Sequence, residues 1–232
     1  MEQLKLFLKQ AKVKIEETEI FTPTYTHSMT EIEQAFASKI SPDGSLVAFS
    51  YVNGKVFVVN NLTREVVAAS DLKSENPGIS KETLLITSFC WMPGDNADHG
   101  GWVLYGAATD GTVREWTALL GNKGLKHDMN LDNSYQSMDI SRSGYKTCLA
   151  GVLPVIEIWD KSKTDSPEQV FNFEDNDCHA QRIHTVRFYP GSQVNFYSGS
   201  WDQTVKFWSA KQKLPINQIS GVQICGDCVD MD

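Results

Sequence analysis

One pattern constrains this chain above all others: a turn, two apolar-alternating segments joined by a second tight turn, and a closing apolar residue at near-constant distance. The clearest copy ends in YSGSWDQTVKFW, residues 197 to 208. Upstream, ISPDGSLVAFSYVNGKVFVV at 40 to 59 places a Pro42-Asp43-Gly44 turn before one strand and Asn53-Gly54 before the next. Asn-Gly between apolar alternations is the strongest short hairpin signal. The same syntax recurs in GWVLYGAATDGTVREW, around Asp110-Gly111, and in ISRSGYKTCLAGVLPVIEIWD. From first turn to closing residue the distance is 17 residues for Pro42 to Val59, 17 for Arg142 to Trp159 and 18 for Pro190 to Trp208. Pro93 to Trp116 spans 23, lengthened by the insertion GDNADHGG. Such recurrence describes a repeat protein rather than a single compact enzyme domain.

These residues resemble the WD40 family. Trp159-Asp160 is the signature dipeptide, and CHAQRIHTVRFYPGSQVNFYSGSWDQTVKFWSA is similar to one nearly complete repeat. The resemblance implies an all-β propeller, with about 40 to 45 residues and four short strands per blade. It also implies that His179, Ser200, Asp202 and Trp208 form a buried hydrogen-bonded chain that fixes the fourth blade. The other copies depart from that set. The second keeps Asp110 and Trp116 with Glu82 in place of His, the third keeps Trp159 with Leu153 at the Asp position, and the first has Asn53 and Val59.

The expected organisation is an N-terminal extension over 1–34, then repeats over 35–70, 82–122, 131–174 and 179–219 within 35–232. A fifth begins at 220–232, where VDMD aligns with VRFY and MDIS. A closed propeller has about 4 to 8 blades, and its closure leaves only short, protected sheet edges. Four blades and one extra strand therefore imply an incomplete propeller, with a truncated product, completion by a second polypeptide, and an open arc within an assembly as competing explanations. An unclosed arc would expose apolar blade faces, so oligomerisation or poor solubility is expected. In the extension, Leu4, Phe7, Leu8, Ala11 and Ile15 fall at helical spacing, while KVKIEETEIFTPTY alternates like a ring-closing strand.

Composition sets the partner class. The chain has 29 acidic against 21 basic residues and a net charge of −8, the opposite of a nucleic-acid footprint. Lys5, Lys9, Lys12 and Lys14 are answered at once by Glu16, Glu17 and Glu19. No apolar run approaches the ~20 residues of a membrane span, and the N-terminus is too charged for a signal-peptide core. Five scattered cysteines fit a reducing compartment better than a disulfide framework. A cytoplasmic protein is expected, associated with the cytoskeleton or a cilium.

Chemistry-bearing motifs are few. Cys225-Gly226-Asp227-Cys228 is a C-x-x-C with neither a second such pair nor paired His residues, which argues against zinc and leaves a redox pair as a third functional reading. Cys178 beside His179 suggests a nucleophile only until His179 is assigned to the blade network. There is no G-x-S-x-G, no phosphate-binding loop and no H-E-x-x-H. No enzyme activity, cofactor, metal or small-molecule substrate is expected. The resemblance instead places an exposed binding surface beside the Asp202 turn: Trp201, with Thr109 and Val52 at the same place on other blades, and Arg182 entering the first strand. Two readings of Trp201 stay open, a partner contact and packing on the next blade's loop. The expected function is a non-enzymatic scaffold for protein complexes, such as a ciliary or microtubule-associated structure. The alternative is an adaptor that captures a short motif, similar to propellers of messenger-RNA export and the spindle checkpoint.

Overall fold

The computed structural model describes residues 34–72, 84–94, 101–116, 125–130, 132–162, 166–226 and 229. The chain divides into two units, 1–32 and 33–232, and all described residues belong to the second. The expected N-terminal extension apart from Gln34, together with Glu82 and Cys228, lies outside the described residues.

The described residues form four antiparallel sheets of four strands each, every sheet following chain order from one edge to the other. The first sheet is β1 (Ala35–Ile40), β2 (Leu46–Tyr51), β3 (Lys55–Asn60) and β4 (Val66–Asp71). The second is β5 (Ile86–Pro93), β6 (Trp102–Ala108), β7 (Thr112–Trp116) and β8 (Leu125–Asp128). The third is β9 (Tyr135–Ile140), β10 (Lys146–Gly151), β11 (Ile156–Asp160) and β12 (Gln169–Phe171). After a single helical turn, α1 (Phe173–Asn176), comes the fourth: β13 (Ile183–Phe188), β14 (Asn195–Ser200), β15 (Thr204–Ser209) and β16 (Asn217–Ser220). The second sheet runs past the expected 122, because its outer strand returns only at Leu125. A strand over 229–232 is not seen at Val229, which carries no strand geometry, and residues 230–232 lie outside the described residues.

Strand alternation explains how the sheets combine. Successive side chains point to opposite faces, so a strand apolar on both faces must be covered on both. In β6, Leu104 and Ala108 join a core with Leu46, Val58 and Ile86, whereas Tyr105 and Ala107 join Tyr135, Met138, Leu149 and Trp159. In β10, Leu149 faces that second core while Cys148 and Ala150 face a third, with Ile183, Val186, Phe196 and Trp208. The apolar cores therefore lie between consecutive sheets, which stack face to face as propeller blades do. The inner strands run side by side in order, β1 against β5, β5 against β9 and β9 against β13. Among the described elements, β13 makes no comparable contact with β1, so the series is open, an incomplete propeller of four blades.

No backbone ladder joins these inner strands, and side chains link them instead. Ser50 Oγ donates to Ile86 O at 2.7 Å and Trp91 Nε1–H to Lys39 O at 3.1 Å, tying blade one to blade two. Thr87 Oγ1 lies 2.9 Å from Tyr135 O and 3.1 Å from Ala107 O. Between blades three and four, Val186 N–H donates to Ser137 Oγ at 3.1 Å and Phe188 N–H to the Asp139 carboxylate at 2.8 Å.

The β2–β3 and β6–β7 turns use Gly54 at φ 83 and Gly111 at φ 78, and a Cβ on Gly54 would come 2.7 Å from Leu72 O. The equivalent residue of blade four is Gln203, at φ 64. A side chain there is strained, so Gln203→Gly is expected to stabilise the protein by roughly 0.5–1 kcal/mol in a urea titration. Thr87→Val keeps the shape but removes the hydroxyl shared by two buried carbonyls. It is expected to lower unfolding stability by about 1–2 kcal/mol in the same assay.

Candidate functional site

The fourth blade carries a buried polar chain. His179, at the entry to the blade, is fully buried. Its Nδ1 lies 2.8 Å from Asp202 Oδ2, and its Nε2 lies 2.7 Å from Ser198 Oγ. Trp208 Nε1–H donates to the same Ser198 oxygen at 2.8 Å. One proton arrangement satisfies every group: Trp208 donates to Ser198, Ser198 to neutral His179, and the Nδ1–H of His179 to ionised Asp202. Thr204 Oγ1 also donates to Asp202 at 2.7 Å, and Ala180 N–H at 3.0 Å.

The structure thus brings His179, Asp202 and Trp208 together but corrects the place expected for Ser200. The linking hydroxyl is Ser198. Both serines project from one face of β14, yet Ser198 sits one pleat nearer Trp208, because Phe196 pairs with Trp208 in register. Ser200 Oγ instead donates to the carbonyls of Gln181 and Arg182, at 3.0 and 2.8 Å, and receives Asp202 N–H. The repeated Ser-x-Ser of YSGS was the available signal.

Ser198, His179 and Asp202 have the connectivity of a hydrolase relay without its access. Ser198 and His179 are 0% exposed, and Trp208 occupies the Ser198 oxygen, so no substrate reaches the hydroxyl. Burial pushes the Cys178 thiol up to about 12, which removes it as a nucleophile at neutral pH. Cys225 is exposed and unpaired by any disulfide. Among the described residues, no group of three or more His, Cys, Asp or Glu is placed to hold a metal, and no helix is long and apolar enough to cross a membrane.

The other blades lock differently. In blade three the Glu157 carboxylate, buried in β11, accepts Trp159 Nε1–H at 3.0 Å, Tyr135 O–H at 2.8 Å and Asn130 Nδ2–H at 2.7 Å. Burial, together with the charge of Glu157, raises the Tyr135 hydroxyl far above its usual pKa. In blade two, Trp116 Nε1–H crosses to Ser70 Oγ on β4 at 3.0 Å, and the buried Asp110 faces Arg114 at 3.8 Å. In blade four, Lys206 reaches the carbonyls of Asp177 and Cys178, just before His179.

The candidate interface lies where the β2–β3 type turns emerge. Val52, Thr109, Val152 and Trp201 each donate their backbone N–H to the residue immediately before the inner strand of their blade. The acceptors are Gln34, Leu85, Ser134 and Arg182, at 3.0, 3.0, 3.0 and 3.2 Å. The four positions are therefore equivalent, and Val152 joins the three expected from sequence. Val52, Val152 and Trp201 are 46%, 39% and 45% exposed, and Leu153 also faces solvent; Thr109 is half-buried. Trp201 packs within its own blade, with the Arg182 guanidinium 4.2 Å above its ring and the His184 ring 5.0 Å away. Burial and the Arg182 charge lower the His184 pKa, leaving a neutral imidazole at pH 7.

Burial alone would raise the Asp202 pKa, but the hydrogen bonds from His179 and Thr204 outweigh it and hold the carboxyl well below the usual range. A depressed folded pKa contributes stability above the unfolded value and loses it as pH falls toward the folded one. Unfolding stability is therefore expected to decline below about pH 4, with a shallower acid limb in Asp202→Asn. Equilibrium urea unfolding between neutral and acid pH, followed by tryptophan fluorescence, measures both. An unchanged acid limb in the variant would remove Asp202 from the lock.

Comparison with known proteins agrees with this geometry. Residues 168–209 match the family model "WD domain, G-beta repeat". A ribosome biogenesis protein WDR12 homolog of Ixodes scapularis is 27% identical over 113 residues, 48% of this chain and 25% of the relative. Its counterpart in Oryza sativa subsp. japonica is 23% identical over 128 residues, 53% of this chain and 28% of the relative. The chain thus spans about a quarter of the length of these curated relatives. A chain in the crystal structure of a mitotic checkpoint complex superposes with a TM-score of 0.62 at 16% identity, covering 83% of this chain and 53% of that one. The matched stretch runs from β12 through β15 and contains the whole His179–Asp202–Trp208 lock, the other three blades repeat the four-stranded architecture with different anchors, and the fold is that of a WD40 β-propeller.

Proposed function

We propose that this chain is a non-enzymatic WD-repeat scaffold that binds other proteins through the face bearing Val52, Thr109, Val152 and Trp201. The observation that carries the reading is the exposed Arg182–Trp201 stack at the end of this series of equivalent turns. Tryptophan and arginine dominate interface energetics at roughly 2 kcal/mol or more per hot spot. Every other polar constellation described above is buried and engaged in holding a blade.

Both curated relatives carry ribosome biogenesis in their names, which supports a place in a particle of that kind over the cytoskeletal or ciliary one expected from sequence. Cytoplasmic residence, a docking role for residues 1–34 and completion of the ring by another polypeptide belong to the same proposal. The acidic balance of the chain argues for protein rather than RNA contacts within such a particle.

The test is quantitative affinity purification of the tagged chain, with wild type, Trp201→Ala and a deletion of residues 1–34 compared, and with the tagged chain imaged in cells. The expected outcome is co-purification with ribosome-assembly proteins, reduced several-fold by Trp201→Ala. Recovery unchanged by Trp201→Ala but abolished by the deletion would move the docking surface to the N-terminal segment. Recovery of tubulin or ciliary components would restore the cytoskeletal placement.

A further inference from the structure

The Arg182–Trp201 pair has a feature that protein binding in general does not require. The Arg182 side chain is exposed, and among the described residues its guanidinium makes no ion pair and no hydrogen bond. It is nonetheless held in place, 4.2 Å from the centroid of the Trp201 ring. With its carbon over the ring and no hydrogen bond taken among the described residues, the guanidinium keeps paired N–H groups that match a carboxylate. Stacking also removes rotamer freedom before any partner arrives, which lowers the entropic cost of binding. The His184 ring lies 5.0 Å from that of Trp201 and, neutral at pH 7, adds a second ring wall rather than a second charge. The carboxylate nearest in sequence, Asp202, is committed to His179, Thr204 and Ala180.

We propose that Arg182, stacked on Trp201, captures an aspartate or glutamate side chain of a short acidic peptide, with an adjacent apolar residue resting on the Trp201 and His184 rings. This rests on the reading that the face binds proteins, and it names the chemistry of the partner. One fixed cation in a chain of net charge −8 suits a single carboxylate. A nucleic-acid backbone needs several cations to replace its counterions, and the other equivalent turns supply Val52, Thr109 and Val152 instead.

The experiment uses the full chain and a dye-labelled ten-residue peptide of alternating glutamate and leucine, with fluorescence anisotropy as the readout. A peptide with glutamine for every glutamate and a ten-nucleotide oligouridylate serve as comparators, each at low and moderate salt. The acidic peptide is expected to bind roughly tenfold tighter than the glutamine peptide, with the difference shrinking as salt rises. Arg182→Gln is expected to erase that difference and Arg182→Lys to retain part of it, since an ammonium keeps the charge but loses the planar stack. Arg182 is solvent-exposed, so the variants should melt as wild type does, and circular dichroism verifies this. Equal binding of both peptides, undiminished binding by Arg182→Gln, preference for the oligouridylate, or no binding at all each overturn the proposal. Equal binding that is lost in Trp201→Ala overturns the carboxylate and leaves the protein-binding face standing. Loss of the face itself is read separately, from unchanged partner recovery in Trp201→Ala.

Discussion

Stacking without a ladder is the constraint on which the rest of this structure depends. Each inner strand forms its backbone ladder only with the next strand of its own sheet, so neighbouring blades adhere through side chains. Apolar alternation supplies the adhesion, because β6 and β10 each feed two cores at once. Hydroxyls and one carboxylate supply the register. Ser50, Thr87, Ser137 and Asp139 each reach a backbone group of the next blade, and such directional bonds fix what dispersion and hydrophobic burial leave free to slide.

Within a blade the same economy applies to the third strand. Arg114, Glu157 and Lys206 each stand two residues before a tryptophan, and all three are buried. Glu157 and Lys206 hold the chain segment that leads into their blade, by opposite chemistry: a carboxylate that accepts side-chain donors, and an ammonium that donates to carbonyls. Arg114 faces Asp110 within its own turn. Blades two, three and four therefore differ chiefly in how each engages a buried charge. The His179 relay is one solution among several.

Much of the fold was legible in the sequence because it rests on periods the sequence must display. Alternation of two, Asn53-Gly54 and Asp110-Gly111 turns, and the near-constant distance from turn to closing residue each follow from strand geometry. What escaped was specific to side-chain direction. Ser198 and Ser200 project from the same face of β14, and only the register with Trp208 decides which one meets His179. Glu157 reads as a solvated charge in an alternating strand until Tyr135, on another strand, is found against it. Of the residues singled out in the sequence, Trp201, Arg182 and Val52 are exposed and Thr109 is half-buried. Val152 was passed over although Leu153 had marked the Asp position of its turn, and His184 because nothing in the sequence places its ring beside Trp201.

Because each core is shared by two consecutive blades only, communication along this molecule is short-ranged. A perturbation at blade one is expected to pass first to blade two and to weaken before it reaches the Arg182–Trp201 pair on blade four. Two proteins seated on distant blades would bind without cooperativity, their free energies simply adding, and the chain would act as a passive connector whose output is effective concentration rather than a transmitted signal.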